Sequence, residues 1–76
     1  MRIPRDISGK ELAKRLSKYG YKVARQTGSH MRLVTGEHHI TIPAHDPIRV
    51  GTLSKILADI ADHLGRTKEE LIRELF

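Results

Sequence analysis

Three residues that could carry out chemistry stand together at Gly28, Ser29 and His30, and Arg32 follows two positions later. The backbone N–H groups of a Gly-Ser turn can hold a phosphate. Histidine, with an ordinary pKa of about 6.5, can take a proton from a ribose 2′-OH or return one to a leaving oxygen. The pattern therefore suggests phosphodiester chemistry at His30, and the alternative is a surface histidine with no function.

Four further histidines raise the question of a metal site. Zinc needs three or four ligands in a tight cluster or in helical i, i+4 pairs. His38 and His39 are adjacent in a strand pattern and point to opposite faces, so they cannot bind one ion together. We therefore predict no metal and no cofactor, and we interpret His38, His39, His45 and His63 as surface and turn residues.

The composition limits the classes of protein. The chain has 76 residues and no cysteine, and its Lys and Arg outnumber its Asp and Glu by 14 to 9. This positive charge favours a polyanionic partner such as nucleic acid, although charge can also serve solubility alone. No apolar run approaches the ~18 residues that cross a bilayer, and no signal peptide follows Met1. We expect one domain over residues 1–76, located in the cytoplasm and without membrane contact.

The stretch "ISGKELAKRLSKYG" predicts a helix with both ends marked. Ser8 and Glu11 have the spacing of a capping box, and Gly20 is typical of a helix end. The apolar residues lie on one stripe and the basic residues on the opposite side, where they could contact phosphates or form an ordinary solvated face. The stripe consists of Leu12, Ala13, Leu16 and Tyr19, and the basic side of Lys10, Lys14, Ser17 and Lys18.

After this helix the apolar residues alternate with a period of two, which predicts three short strands in an antiparallel meander. In the second pair of strands, Leu33 should oppose Ile40 and Met31 should oppose Ile42. This register leaves a two-residue loop that begins with Gly36, as a type II′ turn requires.

The first two strands should pair with Val23 opposite Leu33 and Gln26 opposite His30, around a three-residue loop at 27–29. One face of the sheet then forms the core, and the helices must cover it. The core face carries Tyr21, Val23, Met31, Leu33, Ile40 and Ile42; the open face carries Lys22, Ala24, Gln26, His30, Arg32, Val34, His39 and Thr41.

The C-terminal half predicts two helices. Thr52 is placed to cap a helix that ends at Gly65, and Thr67 with Glu70 forms a second capping box before a short last helix. The predicted fold is α+β, with the order α-β-β-β-α, a three-stranded antiparallel sheet, helices on one face and a short extra C-terminal helix. The last two helices look like a helix-turn-helix DNA reader, but the exposed side of the last one is acidic, so we expect no direct DNA binding.

Longer stretches of the chain resemble a known family. "SGKELAKRL", "GYKVARQTGSHMRLV" and "ITIPAHDPIRVGTLSKIL" are similar to the HicA toxins, also called YcfA-like proteins, which are small mRNA interferases of bacterial and archaeal toxin–antitoxin pairs. The similarity runs from about Ile7 to Leu75, and its most specific parts are the internal GSH, the Pro-x-His of "IPAH" and "GTLSKIL". Many relatives carry another histidine or an aromatic residue just after the GSH, where this chain has Met31 and Arg32.

The resemblance implies a fold like that of double-stranded-RNA-binding domains. It also implies that His30 is the catalytic residue, that mRNA is the substrate, and that a HicB-type antitoxin silences the toxin by binding over the active surface. A basic face suits an acidic partner on grounds of charge as well.

These observations suggest a metal-independent endoribonuclease. His30 would deprotonate the 2′-OH that attacks the adjacent phosphorus. Arg32 would stabilise the negative charge that gathers on the phosphoryl oxygens. Either Lys22 or the amides of Gly28 and Ser29 would assist it.

A second proton carrier would help the leaving oxygen. His39 shares the open face with His30 but lies four residues along the strand from it, about 13 Å at ~3.3 Å per residue. His45 is nearer, since it comes just past the Pro43 that opposes His30. Its alternative role is to fasten the loop by hydrogen bonds.

Two other classes of protein stay open. The chain could be a non-catalytic RNA-binding module that recognises duplex RNA by its shape. It could also be an interaction protein that only binds an antitoxin through its sheet. A duplex reader normally needs basic residues at the start of its second helix, where this sequence offers Arg49 and Lys55.

Overall fold

The structure, a computed structural model, describes residues 3–76. At its centre is an antiparallel sheet of three strands in the order β1-β2-β3. The strands are β1 (Lys22–Thr27), β2 (His30–Thr35) and β3 (His38–Pro43). One helix precedes the sheet and two follow it, and they cover one face, so the predicted α+β order with an extra C-terminal helix is confirmed.

Helix α1 spans Gly9–Leu16 and passes into a 3₁₀ turn at Ser17–Tyr19. The Ser8 hydroxyl accepts a hydrogen bond from the Glu11 N–H at 3.1 Å, as predicted for an N-cap. The reciprocal half of the predicted capping box is not formed, and the Glu11 carboxylate instead pairs with Arg15 one turn later at 3.1 Å.

Helix α2 spans Val50–Leu64 and begins earlier than predicted. Its N-cap is Arg49, which has an extended backbone and whose side chain makes no capping hydrogen bond. The prediction of Thr52 as the N-cap is therefore wrong, and Thr52 lies inside the first turn. Ile48, just before Arg49, is buried in the core and anchors the chain where it enters α2.

Helix α3 spans Lys68–Leu75. Both halves of the predicted capping box between Thr67 and Glu70 are present. Hydrogen bonds from Thr67 hold the pKa of the Glu70 carboxyl below its usual value. The two predicted glycine ends are also confirmed: Gly20 closes the 3₁₀ turn and Gly65 ends α2, with left-handed φ angles of 88° and 68°.

The register of β2 and β3 is as predicted. Leu33 opposes Ile40, Met31 opposes Ile42, and Gly36 begins the two-residue loop with a φ of 47°. These four apolar side chains of the sheet are buried against the helices. Fully buried helix residues in this core include Leu12, Leu16, Leu53, Leu57, Ile60 and Leu71.

A β-bulge in β1 changes the predicted pairing with β2. Val23 opposes Leu33 as expected, but the next pair is Arg25 with Arg32, so Ala24 is an extra residue without a partner. Because successive side chains of a strand point to opposite faces, the β1 residues after the bulge lie on the face opposite to the one that an uninterrupted alternation would give, and the prediction for Gln26 is wrong.

Because of the bulge, the predicted end of the first hairpin is also wrong. Thr27, rather than Gln26, opposes His30, and the loop has two residues instead of three. Arg25 and Thr27 lie on the open face of the sheet, and Gln26, which was predicted there, turns toward α1.

The prediction that Val23 belongs to the core is also wrong. It lies on the helix-covered face opposite the buried Leu33, yet it is 49% exposed. All six residues of β1 are exposed, since the helices cover β2 and β3 and leave this edge strand projecting beyond them.

Helix α1 approaches the end of β3 very closely at Gly9. The Gly9 N–H donates to the His45 carbonyl at 2.9 Å. A Cβ atom added to Gly9 would overlap the Pro43 carbonyl oxygen and lie 3.0 Å from the Cα of Ala44. Both neighbours are backbone atoms, so they cannot move aside as a flexible side chain could.

We predict that Gly9→Ala lowers the free energy of unfolding by about 1–3 kcal/mol, the usual effect of overpacking a tight contact. Urea unfolding followed by circular dichroism measures it. Gly51→Ala in the first turn of α2 is the matched control, because an added Cβ there meets nothing within 4 Å. Equal effects of the two substitutions would contradict the prediction.

Candidate active site

His30 is the first residue of β2, and its side chain is exposed. Its neighbours across the sheet are Thr27 on β1 and Pro43 on β3. The imidazole therefore faces solvent at the end of the middle strand and does not pack among the aliphatic side chains of the core. An exposed ring is the first requirement for acid–base chemistry on a large substrate.

A shallow depression of about 200 Å³ adjoins His30 on the open face of the sheet. Arg25 and Arg32 lie directly opposite each other in it, and like charges so placed destabilise a strand pair. Neither arginine forms a salt bridge within residues 3–76. Two guanidinium groups in this arrangement favour an anion that can accept hydrogen bonds from both. The depression is lined by Arg25, Thr27, His30, Arg32 and Thr41.

A second depression, of about 410 Å³, adjoins His30 on the side of helix α2. Arg49 and Thr52 enter it from the first turn of α2, whose N-terminal N–H groups have no side-chain cap. The N-terminus of a helix carries partial positive charge, which adds to that of Arg49. The depression is lined by His30, Thr41, Pro43, His45, Arg49 and Thr52.

Backbone hydrogen bonds join the connection between β3 and α2 to two other parts of the chain. The Ala44 N–H donates to the Ser29 carbonyl at 2.6 Å, and the His45 carbonyl accepts from the Gly9 N–H at 2.9 Å. Further along, Ile48 is buried in the core. The connection is therefore tied to the turn before β2, to the start of α1 and to the core.

The structure brings together some of the residues that the sequence predicted. Arg32 lies two residues from His30 on the same face, and the exposed His45 side chain lines the same depression as His30. The alternative role of His45, to fasten the loop by a hydrogen bond, is filled by its backbone carbonyl, which accepts from the Gly9 N–H. Gly28 and Ser29 form the turn immediately before His30 but line neither depression.

Two other residues of the open face are not brought to His30. Lys22 on β1 and His39 on β3 both oppose Val34. Val34 lies four residues along β2 from His30, about 13 Å away at ~3.3 Å per residue. The register confirms the separation predicted for His39, and it keeps Lys22 at the same distance.

Arg25, Arg49 and Thr52 also line the depressions, and none of them was predicted for the nuclease site; Arg49 was considered only for a duplex reader. Arg25 was missed because the bulge at Ala24 reverses its orientation. Arg49 lies in a connection without periodicity, and Thr52 was interpreted as a helix cap. The one available signal was the basic Arg49 close to the expected start of a helix.

His38 is part of a hydrogen-bonded cluster and is not the simple surface residue that was predicted. Its Nδ1 lies 2.6 Å from the Tyr21 hydroxyl, and its Nε2 lies 3.4 Å from the Asp59 carboxylate. Its ring stacks on that of His63 at 4.3 Å. The cluster links the start of β1, the start of β3 and α2. Within residues 3–76 no group of three or more His, Cys, Asp or Glu is arranged to hold a metal ion.

A family model described as "HicA toxin of bacterial toxin-antitoxin" matches residues 9–61, well over half of the chain. The chain belongs to the HicA toxin family. The matched segment contains α1, the sheet and every residue that lines the two depressions. No curated protein and no solved structure matches the chain.

Membership in the HicA family implies a toxin–antitoxin partner for this protein. In the part of this HicA toxin that the structure describes, none of the helices has both the length and the apolar character needed to span a bilayer. The residues that follow the matched segment form the end of α2 and helix α3, and residues 3–8 precede it. The two depressions are therefore built entirely from the part of the chain that the family shares.

The cluster at His38 gives this HicA toxin a specific dependence on pH. Burial raises the pKa of the Tyr21 phenol above its ordinary value, and the Asp59 carboxylate raises it further. The folded state thus holds the phenol proton more tightly than the unfolded state, so the free energy of unfolding falls as the pH rises above about 10.

We predict that Tyr21→Phe removes this part of the pH dependence. At neutral pH the variant should be less stable by about 0.5–1.5 kcal/mol, because the hydrogen bond to His38 is lost. Between pH 9 and 11 the wild type should lose more stability than the variant, as measured by urea unfolding at each pH. Identical losses in both proteins would show that Tyr21 does not contribute.

Proposed function

We propose that this HicA toxin is an endoribonuclease that cleaves mRNA with His30 as general acid and base, and that a HicB-type antitoxin silences it. The observation that carries the proposal is the position of an exposed imidazole between two basic depressions that meet at His30 and Thr41. A single-stranded polyanion that crosses the end of the sheet would pass directly over this ring.

The two depressions suit successive phosphates of one RNA strand. Arg25 and Arg32 would hold one phosphate on the open face of the sheet, where each guanidinium can offer paired N–H donors. Arg49 and the first turn of α2 would hold the phosphate on the other side of His30. This arrangement presents to the imidazole the ribose between the two phosphates and the phosphate that the two arginines hold.

The proposed reaction is an internal phosphoryl transfer. His30 takes the proton of the 2′-OH, the 2′-oxygen forms a bond to the adjacent phosphorus, and the bond from phosphorus to the 5′-oxygen breaks. The guanidinium of Arg32, assisted by Arg25, stabilises the negative charge on the phosphoryl oxygens. The products are a 2′,3′-cyclic phosphate and a 5′-hydroxyl.

The 5′-oxygen needs a proton as it leaves. His45 is the candidate donor, because its exposed side chain lines the same depression as His30. Its backbone is fixed by the hydrogen bond to Gly9, which limits how far the ring can move away. Solvent water is the alternative donor.

The antitoxin would act by covering the same surface. The open face carries Arg25, Arg32 and His30 without a neutralising carboxylate among the residues that line the first depression. An acidic partner surface complements this charge and excludes RNA when it is bound.

A non-catalytic RNA-binding module would use the same basic face, and cleavage separates the two functions. We predict that the purified protein cuts single-stranded RNA in the presence of EDTA and that His30→Ala lowers the cleavage rate by about 10²- to 10⁴-fold, the usual contribution of a general acid–base. Gel electrophoresis of a labelled RNA measures the rate, and fluorescence anisotropy measures binding.

His39→Ala is the matched control for this experiment, since it removes an exposed histidine from the same face about 13 Å from His30. Its cleavage rate should equal that of the wild type. Unchanged cleavage by His30→Ala would exclude the mechanism. Binding without cleavage by the wild type would assign the chain to the RNA-binding class.

We predict that Arg25→Ala reduces the kcat/KM of RNA cleavage more than Lys22→Ala does. Loss of a hydrogen bond to a charged phosphate costs about 1.5–3 kcal/mol, so Arg25→Ala should lower kcat/KM by roughly tenfold to a hundredfold. Lys22 lies on the same strand but about 13 Å from His30, and its loss should be several times milder. The reverse order would mean that the bulge does not orient β1 toward substrate.

A further inference from the structure

A groove of about 510 Å³ lies between α1 and β1, on the side of the sheet that the helices cover. The site proposed above for RNA makes no use of it. Its exposed lining is mostly apolar, and its rim is basic. The residues that matter here are Ala13, Val23 and Met31 on the floor, and Lys10, Lys14 and Lys22 on the rim.

The apolar floor exists because β1 projects beyond the helix layer. Val23 is 49% exposed although it opposes the fully buried Leu33 in the register. Met31, on the neighbouring strand, and Ala13, on α1, close the bottom of the groove, but they are 2% and 9% exposed, so Val23 supplies most of its accessible apolar surface. A helix lying beside α1 would cover this strip and complete the helix layer of the fold.

The basic rim carries three positive charges that nothing nearby neutralises. Lys10 and Lys14 are one helical turn apart on α1, a spacing at which like charges repel. Lys22 borders the groove at the start of β1, at the edge of the sheet, although its register with Val34 assigns its side chain to the open face. No Asp or Glu lines the groove, and none of the three lysines forms a salt bridge within residues 3–76.

We propose that this groove binds an acidic amphipathic helix of a protein partner. The apolar side chains of that helix pack mainly on Val23, above the bottom formed by Ala13 and Met31. Carboxylates on its flanks pair with Lys10 and Lys14, and Lys22 adds positive charge at the edge. Helix-in-groove recognition uses this division between an apolar centre and a charged rim. The opposite charges steer the partner into place, and burial of the floor holds it.

The lining of the groove favours a protein partner over RNA. Single-stranded RNA is held by stacking of its bases on exposed aromatic or guanidinium groups. The groove has no arginine in its lining, and its one aromatic residue, Tyr21, is only 2% exposed. Lysines alone would bind phosphates but would leave the apolar floor unused.

A partner in this groove leaves the His30 surface free. After the bulge, Gln26 faces the groove and its neighbours Arg25 and Thr27 face the opposite side of the sheet. The two depressions at His30 therefore remain open while the groove is occupied. The protein can thus hold a partner and an RNA strand at the same time.

The test uses a synthetic peptide of about 15 residues, long enough to form a helix, with Leu at i, i+3, i+4 and i+7 and Glu at the flanking positions. Backbone and methyl NMR spectra of the labelled protein locate the bound peptide. We expect shifts at Ala13, Val23 and Met31, and no shifts at Arg25 or His30. A peptide with the same composition in scrambled order should not produce them.

Fluorescence anisotropy then compares variants. Lys14→Glu should weaken peptide binding at least tenfold, whereas Lys55→Glu, an equal charge change on the exposed side of α2, should not. Val23→Thr should weaken it at least about fourfold, because a hydroxyl replaces a methyl group that the peptide would bury. Unfolding curves of each variant show whether it is folded.

Three results would overturn the proposal. Peptide shifts centred on Arg25 and Arg32 would mean that charge alone directs binding to the open face. Shifts of the groove residues caused by a single-stranded RNA would make the groove part of the RNA site. Concentration-dependent shifts of the groove without peptide, together with a dimer in sedimentation, would identify the occupant as a second copy of the chain.

Discussion

The contact between Gly9 and the backbone that follows β3 determines the geometry of the candidate site. The Gly9 N–H bonds to the His45 carbonyl, and one residue earlier the Ala44 N–H bonds to the Ser29 carbonyl. Three parts of the chain therefore meet through main-chain atoms, at a point where no side chain would fit. His30 follows one of these residues directly, so its position is set by backbone rather than by packing of its own ring.

Two features beside His30 reduce the stability of the fold, and both lie at the candidate site. Arg25 and Arg32 oppose each other across the strands, which is unfavourable for like charges. Helix α2 begins at Arg49 without a side-chain cap, which commonly costs about 0.5–2 kcal/mol relative to Ser, Thr, Asp or Asn. Departures of this kind from the rules of stable folds are expected at functional sites. The rest of the fold, with its closely fitted core and its complete capping box before α3, offsets them.

The sequence predicted the element order, the core and the register of β2 with β3, because periodicity and short glycine turns report local backbone geometry directly. Alternation also placed His30 and Arg32 on the same open face, which the register confirms, and their role in catalysis stays a prediction. The sequence pattern failed where one residue interrupts the alternation, at Ala24, and so assigned Gln26 to the wrong face and missed that Arg25 lies on the open face. It also failed to predict that Val23 is exposed, because that depends on a long-range property, namely how far the helices extend across the sheet.

The bulge at Ala24 has a consequence for comparing this toxin with its relatives. A homologue of the same length whose β1 pairs without the bulge would have its β1 side chains in the opposite orientation beyond that point, although its sequence would align without a gap. The residues before and after Ala24 should therefore be aligned as two separate segments. The first is placed by the pair of Val23 with Leu33, and the second by the pair of Thr27 with His30.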